Sequence, residues 1–126
     1  MTKVIVTGHG KYGTLIKDNL SMILGEPKDF FYVDFNQGDD IEILNNKLTD
    51  TIELCENDEI IFACDLAGGT PFKLAVLLAM KNEKFRVVAG LNTGGYSEIA
   101  FMLDKPVYEV VGIAIEATRS SIFRFP

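Results

Sequence analysis

The sequence contains few of the residues that most often mark a reactive or metal-binding site. It has one histidine and two cysteines, and Cys55 and Cys64 have no CxxC spacing, so neither a zinc site nor a disulfide framework is expected. Both are predicted to be reduced thiols of the core. Basic residues are also scarce, since 12 Lys and Arg face 18 Asp and Glu for a net charge of −6. This balance excludes nucleic acid as the main partner, because a nucleic-acid groove needs clustered cations.

Long apolar runs are missing as well. The start, MTKVIVTGHG, lacks the apolar region of a secretory signal, and no run reaches the roughly 18 residues of a membrane span. These absences predict a cytoplasmic protein. The composition, with 48% hydrophobic and 24% charged residues, is ordinary for a globular fold, so we expect one domain over residues 1–126.

Strand and helix patterns alternate along the chain. The predicted strands are Val4–Val6, Phe30–Phe35, Glu59–Cys64 and Phe85–Gly90, and the predicted helices are Thr14–Leu24, Ile41–Cys55, Pro71–Met80 and Ser97–Leu103. Val107–Thr118 suits a strand by composition and a helix by length, and we interpret it as a helix. The tail Ile122–Phe125 alternates as a short strand does.

This alternation predicts an α/β fold. We expect a single doubly wound domain with a mainly parallel sheet of four strands in the order 2-1-3-4, helices on both faces, and a short carboxyl-terminal edge strand. In that order the first and third strands are neighbours where the winding reverses, which is where open parallel sheets bind ligands. The loops after both strands are rich in glycine, so two glycine turns should face one crevice.

The only histidine lies in the first of these turns. His9 stands between Gly8 and Gly10, where the first strand ends and before a helix begins. A neutral imidazole is a good nucleophile near neutral pH and can form covalent intermediates. If Asp65, at the end of the third strand, accepts a hydrogen bond from one ring nitrogen, the other nitrogen is free to attack.

The second turn, Leu66 to Pro71, suits an anion. Its glycines precede a predicted helix, with Thr70 as the expected N-cap and Pro71 at the first helical position. Backbone N–H groups at a helix N-terminus bind phosphate well, and the Thr70 hydroxyl is a further donor. The two turns together predict a phosphohistidine site.

A competing interpretation concerns the same first turn. Gly8-x-Gly10-x-x-Gly13 matches the dinucleotide fingerprint, and Asp34 follows near the distance expected for a ribose ligand. The fingerprint leaves the second glycine turn without a use. A nucleotide- or metabolite-binding sensor nevertheless stays open as the alternative function. Four other polar residues are assigned lesser roles: the rim of the crevice for Lys11 and Tyr12, and a helix cap for Asp39 and Asp40.

Two motifs, VTGHG and CDLAGGTPF, make the chain resemble the EIIA component of the mannose family of the sugar phosphotransferase system (PTS). The resemblance implies that His9 accepts a phosphoryl group from phospho-HPr and passes it to a histidine of the IIB component, so that the chain is a phosphotransferase without cofactor or metal. It implies that Asp65 holds the ring, and that the backbone at Leu66 and Gly69 and the hydroxyl of Thr70 line the phosphate pocket.

The resemblance also implies a homodimer in which the carboxyl-terminal strand is exchanged, and only indirect contact with the membrane components IIC and IID. No IIB-like extension is present, so IIB is expected as a separate chain. The turn from Asn92 to Tyr96 departs from the Asn-x-Pro-Met pattern of many members, which puts the shape of the partner-binding rim in doubt. The IIA-like phosphocarrier of a dihydroxyacetone kinase system, which shares the fold and an early histidine, stays open as a second alternative.

Overall fold

The sheet and its helices alternate along the whole chain. The computed structural model describes residues 1–126. The elements are β1 (Thr2–His9), α1 (Tyr12–Leu24), β2 (Phe30–Phe35), α2 (Ile41–Leu54), β3 (Glu59–Cys64), α3 (Thr70–Ala79), β4 (Phe85–Ala89), α4 (Thr93–Ile99) and α5 (Val107–Ser120). All three strand pairs are parallel and the order is β2-β1-β3-β4, which confirms the predicted fold.

Helices cover both faces of the sheet because successive strand residues point to opposite sides. On one face, α1, α4 and α5 enclose a core that includes Val4, Val6 and Tyr96. On the other face, α2 and α3 pack over Ile5 and Phe62. The central strands β1 and β3 are therefore apolar on both sides, as expected of parallel strands buried between helix layers.

The first strand is longer than predicted. The glycines were expected to end it before His9, but Gly8 continues the parallel ladder opposite Asp34, and His9 lies opposite Phe35. The chain turns only at Gly10, whose φ is +61°. Helix α1 accordingly begins at Tyr12, two residues before the predicted start.

The segment after β4 also differs from the prediction. Helix α4 begins at Thr93, not Ser97, because the Asn92 side chain caps it by accepting a hydrogen bond from the Gly95 N–H at 3.0 Å. The two glycines inside this helix allow close packing: a Cβ added at Gly95 would collide with the Thr118 side chain of α5. Tyr96, expected in a turn, is thereby carried into the core.

The end of the chain contains one confirmed element and one correction. The ambiguous segment after Pro106 is helical, as α5. The tail Ile122–Phe125 forms no strand within a single chain, and its apolar side chains are exposed. Strand exchange in a homodimer stays a prediction.

Candidate functional site

The single histidine ends the strand at which the winding of the sheet reverses. His9 is the last residue of β1, which lies between β2 and β3. Its side chain is 47% exposed, and its ring lies 6.1 Å from the ring of Phe35 at the end of β2. The imidazole is therefore fixed at the carboxyl edge of the sheet and open to solvent, as predicted.

Asp65 holds this imidazole. It follows β3 directly, and its Oδ2 lies 2.9 Å from His9 Nδ1 and 3.0 Å from the His9 backbone N, whose N–H donates to it. An ionised carboxylate only accepts hydrogen bonds, so Nδ1 carries the ring proton and donates it. In the neutral ring Nε2 then bears the free lone pair. This pair is the one predicted from the sequence.

The second glycine turn, Leu66 to Pro71, lies against the other side of the His9 ring. A Cβ built on Gly69 would lie 2.6 Å from His9 Cε1 and 3.3 Å from Nε2, so only glycine allows this approach. The Gly69 N–H donates to the Leu66 carbonyl at 3.2 Å, and Gly68 adopts a φ of +83° inside the turn. The ring, Gly69 and the Leu66 carbonyl thus border one space, and the Leu66 side chain is exposed.

Helix α3 begins at this turn. The N-cap is Gly69, and Thr70 is the first helical residue, which corrects the prediction of Thr70 as cap. Gly69 has an extended backbone that other residues could also adopt, but the histidine ring occupies the space a side chain would need. The first N–H groups of a helix have no partner within it and carry partial positive charge. The N-terminus of α3 is consequently suited to an anion beside Nε2.

Sequence reasoning missed a pair of tyrosines below this site. Tyr12, predicted at the rim, is partly buried, and its hydroxyl lies 2.6 Å from that of Tyr96, which is fully buried. Burial raises the pKa of both phenols. The apolar spacing of α1 contains a signal for Tyr12, but the glycines around Tyr96 indicated a turn and hid its position. Lys11, by contrast, is exposed, as predicted.

The residues that match the dinucleotide fingerprint stabilise the start of α1. The Asp34 carboxylate accepts hydrogen bonds from the Thr14 N–H at 2.9 Å and from the Thr14 hydroxyl. Gly13 lies so close that a Cβ there would stand 2.9 Å from Asp34 Oδ1. The carboxylate that a ribose would need is therefore already bound to the helix.

The remaining polar candidates have structural roles. Asp40 caps α2 by accepting from the Ile43 N–H at 2.9 Å, as predicted, and Asp39 pairs with Lys47 at 2.9 Å. The hydrogen bond from Lys47 lowers the pKa of Asp39. Both cysteines are free and buried, which confirms their prediction as core thiols. No group of three or more His, Cys, Asp or Glu side chains is placed to hold a metal ion. None of the helices has the length and apolar character needed to cross a membrane.

The fold and the site define a class: doubly wound α/β domains that hold an imidazole beside a glycine-lined helix N-terminus. Residues 3–94 match the model of the EIIA-man family, described as PTS system fructose IIA component. The chain therefore belongs to the mannose family of PTS EIIA components.

Known proteins similar to this chain are named as EIIA or EIIAB components of the PTS. The fructose-specific EIIA component of Bacillus subtilis is 31% identical over 93 residues, which are 73% of this chain and 64% of that protein. The mannose-specific EIIAB component of Escherichia coli K12 is 29% identical over 126 residues, 97% of this chain and 39% of that protein. The chain thus spans less than two thirds of the length of either relative.

Solved structures show the same architecture. The mannose/sorbose-specific IIA subunit from Enterococcus faecalis superposes with a TM-score of 0.91 at 26% identity, over 99% of this chain and 95% of that one. The EIIA component from Streptococcus agalactiae gives 0.88 at 25% identity, over 99% and 98%. The likeness includes the carboxyl-terminal region that the family model does not match.

Proposed function

We propose that this chain is a phosphocarrier of a sugar phosphotransferase system, forming a single EIIA domain over residues 1–126. His9 takes a phosphoryl group from phospho-HPr and gives it to a histidine of the IIB component. The observation that carries the proposal is the opposite placement of the two ring nitrogens: Nδ1 is 2.9 Å from Asp65, and Nε2 faces Gly69 at the start of α3.

The transfer follows from this geometry. The lone pair of Nε2 attacks the phosphorus, a P–N bond forms, and the bond to the donor breaks with its electron pair returning to the donor. The proton on Nδ1 stays where it is and is held by Asp65. The phosphorylated ring is positively charged when Nδ1 keeps its proton, and the neighbouring carboxylate stabilises that charge. Transfer to IIB reverses the same steps.

In the proposed site, hydrogen-bond donors of the protein, rather than a metal ion, bind the phosphoryl oxygens. We assign this role to the backbone at Leu66 and Gly69, where the Gly69 N–H would exchange its hydrogen bond to the Leu66 carbonyl for one to a phosphoryl oxygen. The first N–H groups of α3 and the Thr70 hydroxyl are the other donors. Helix N-termini supply aligned N–H groups and a favourable dipole for such an anion. Pro71, the second residue of α3, supplies no N–H itself but is compatible with the first helical turn. No cofactor enters this mechanism.

The partners follow from the same role. HPr would meet the exposed edge around His9, IIB would use that edge in its turn, and IIC and IID would be reached only through IIB. The exposed apolar tail supports a homodimer. A cytoplasmic location is part of this proposal, because HPr and IIB must both reach His9.

Intact-mass analysis after incubation with enzyme I, HPr and phosphoenolpyruvate tests the carrier role. We expect one acid-labile phosphoryl group on the wild type and none on His9→Gln, and we expect IIB to discharge it. No mass change with active, cognate donors would contradict the proposal. Saturable dinucleotide binding that survives His9→Gln would instead support the sensor alternative.

A further inference from the structure

The hydroxyls of Tyr12 and Tyr96 form a buried pair to which the proposed transfer gives no role. Tyr12 lies in the first turn of α1 and Tyr96 in α4, and their oxygens are 2.6 Å apart. Tyr96 has no exposed surface and is among the largest fully buried side chains. A buried hydroxyl without a partner is costly, so this hydrogen bond fixes both rings against each other.

The Tyr12 ring borders the carboxyl group that holds His9. A Cβ built on Gly8 would lie 2.7 Å from Asp65 Cγ and 2.7 Å from Tyr12 Cδ2. The ring and the carboxyl group therefore both border the space above Gly8, one from α1 and the other from the end of β3. Any residue other than glycine at this position would push them apart.

The two oxygens of Asp65 have different surroundings. Oδ2 accepts both hydrogen bonds from His9, whereas Oδ1 is buried and has no hydrogen-bond partner. A carboxylate oxygen in water would be solvated, and that solvation would compete with the imidazole for the charge. Where water is excluded, the remaining hydrogen bond is electrostatically stronger.

From these contacts we propose that Tyr12, locked by Tyr96, is a positioning residue for His9. Its ring fixes the Asp65 carboxylate and keeps water from Oδ1, so that Oδ2 holds the Nδ1 proton and Nε2 remains the free nitrogen. The effect on phosphoryl transfer rests on the proposed function, while the effect on the imidazole does not.

Nitrogen-15 NMR of the imidazole tests this role, and the single histidine makes its spectrum unambiguous. In the neutral wild type we expect the Nδ1–H tautomer to dominate. In Tyr12→Ala we expect the share of the Nε2–H tautomer to rise several-fold, and transfer from phospho-HPr to slow by roughly tenfold, as for lost alignment of a reacting group. Tyr12→Phe and Tyr96→Phe should shift the tautomers in the same direction but less.

Tyr32→Phe is the matched control, because Tyr32 also has a buried hydroxyl but without any hydrogen-bond partner. It should keep the wild-type tautomer ratio and rate. A folded Tyr12→Ala with an unchanged ratio would overturn the proposal. If Tyr12→Ala does not fold, unchanged ratios in both phenylalanine variants would overturn it. A shifted ratio in a protein that accepts no phosphoryl group would support the positioning role and count only against the carrier function.

Discussion

The crevice at His9 and the carboxyl-terminal tail both expose side chains, but they differ in how completely one chain surrounds them. The imidazole, 47% exposed, is held by Asp65 on one side and bordered by Gly69 on the other. The tail residues Phe123 and Phe125 are 96% and 97% exposed, with no strand to hold them. Under the proposed function, the site of phosphoryl acceptance would be complete within one chain, whereas the tail would need another surface.

The difference has a simple origin in the topology. Parallel strands bring their carboxyl ends to one edge, so residues distant in sequence, such as His9 and Asp65, meet there without further help. The tail follows α5, which ends at Ser120, and its apolar side chains are exposed. Apolar residues in such a position favour association with a second surface.

The largest effect on the crevice should come from Asp65→Asn. The substitution keeps the shape but removes the charge that stabilises the phosphorylated ring, and it permits the wrong tautomer. We expect phosphorylation by phospho-HPr to slow on the order of a hundredfold, a typical loss for a charged group aimed at developing charge. Rapid-quench kinetics measure the rate. A rate within twofold of wild type would remove Asp65 from the mechanism.

Gly69→Ala should displace the His9 ring in the crevice and leave the fold intact. The backbone there, with φ −75° and ψ 169°, suits alanine, but the new Cβ would meet the His9 ring. We expect transfer to fall by about tenfold, as a displaced nucleophile predicts, with an unchanged melting temperature.

Gly25→Ala is the matched control for that substitution. Gly25 ends α1 with a φ of +79° and has open space around it, so alanine there is strained but touches nothing. Because φ +79° with ψ −175° is a conformation that only glycine adopts readily, alanine should destabilise the fold by roughly 1–3 kcal/mol and leave the transfer rate unchanged. If both variants lost rate equally, close approach to the ring would not explain Gly69.

Deleting Ile122–Pro126 would sharpen the contrast between the two regions. We expect a homodimer to become a monomer, or to aggregate through the surface the tail had covered, as measured by light scattering. Acceptance of a phosphoryl group by His9 should persist in the monomer. A dimer that survives the deletion would disprove tail exchange, and a monomer unable to accept phosphate would contradict the self-contained crevice.

The smallest effect concerns the thiols below the site. Burial raises the pKa of Cys64 to about 12 and that of Cys55 to about 11, from an ordinary value near 9. The folded chain therefore binds these protons more tightly, and its stability should decline as the pH rises from about 9 towards these values. At about pH 8 a thiol reagent should react no faster than the chain unfolds; reaction at the rate of a free thiol would contradict their burial.

The sequence was sufficient for the fold and for the pairing of His9 with Asp65, because apolar periodicity and strand ends are local signals. It was insufficient where a side chain sets the start of a helix: with Asn92 as its cap, α4 begins at Thr93, four residues before the predicted start, and this places Tyr96 in the core. The hydrogen bond between Tyr12 and Tyr96 was also not predicted. It joins residues 84 apart, and neither has a local pattern that indicates the other.

The most direct test of the account is to identify the nitrogen that carries the phosphoryl group. The chain would be labelled with nitrogen-15 in the histidine ring, phosphorylated through HPr, and examined by nitrogen and phosphorus NMR. We predict a phosphoryl group on Nε2 of His9, because Asp65 is hydrogen-bonded to Nδ1 and Nε2 lies beside Gly69. A phosphoryl group on Nδ1, or none on His9 with active donors, would contradict it.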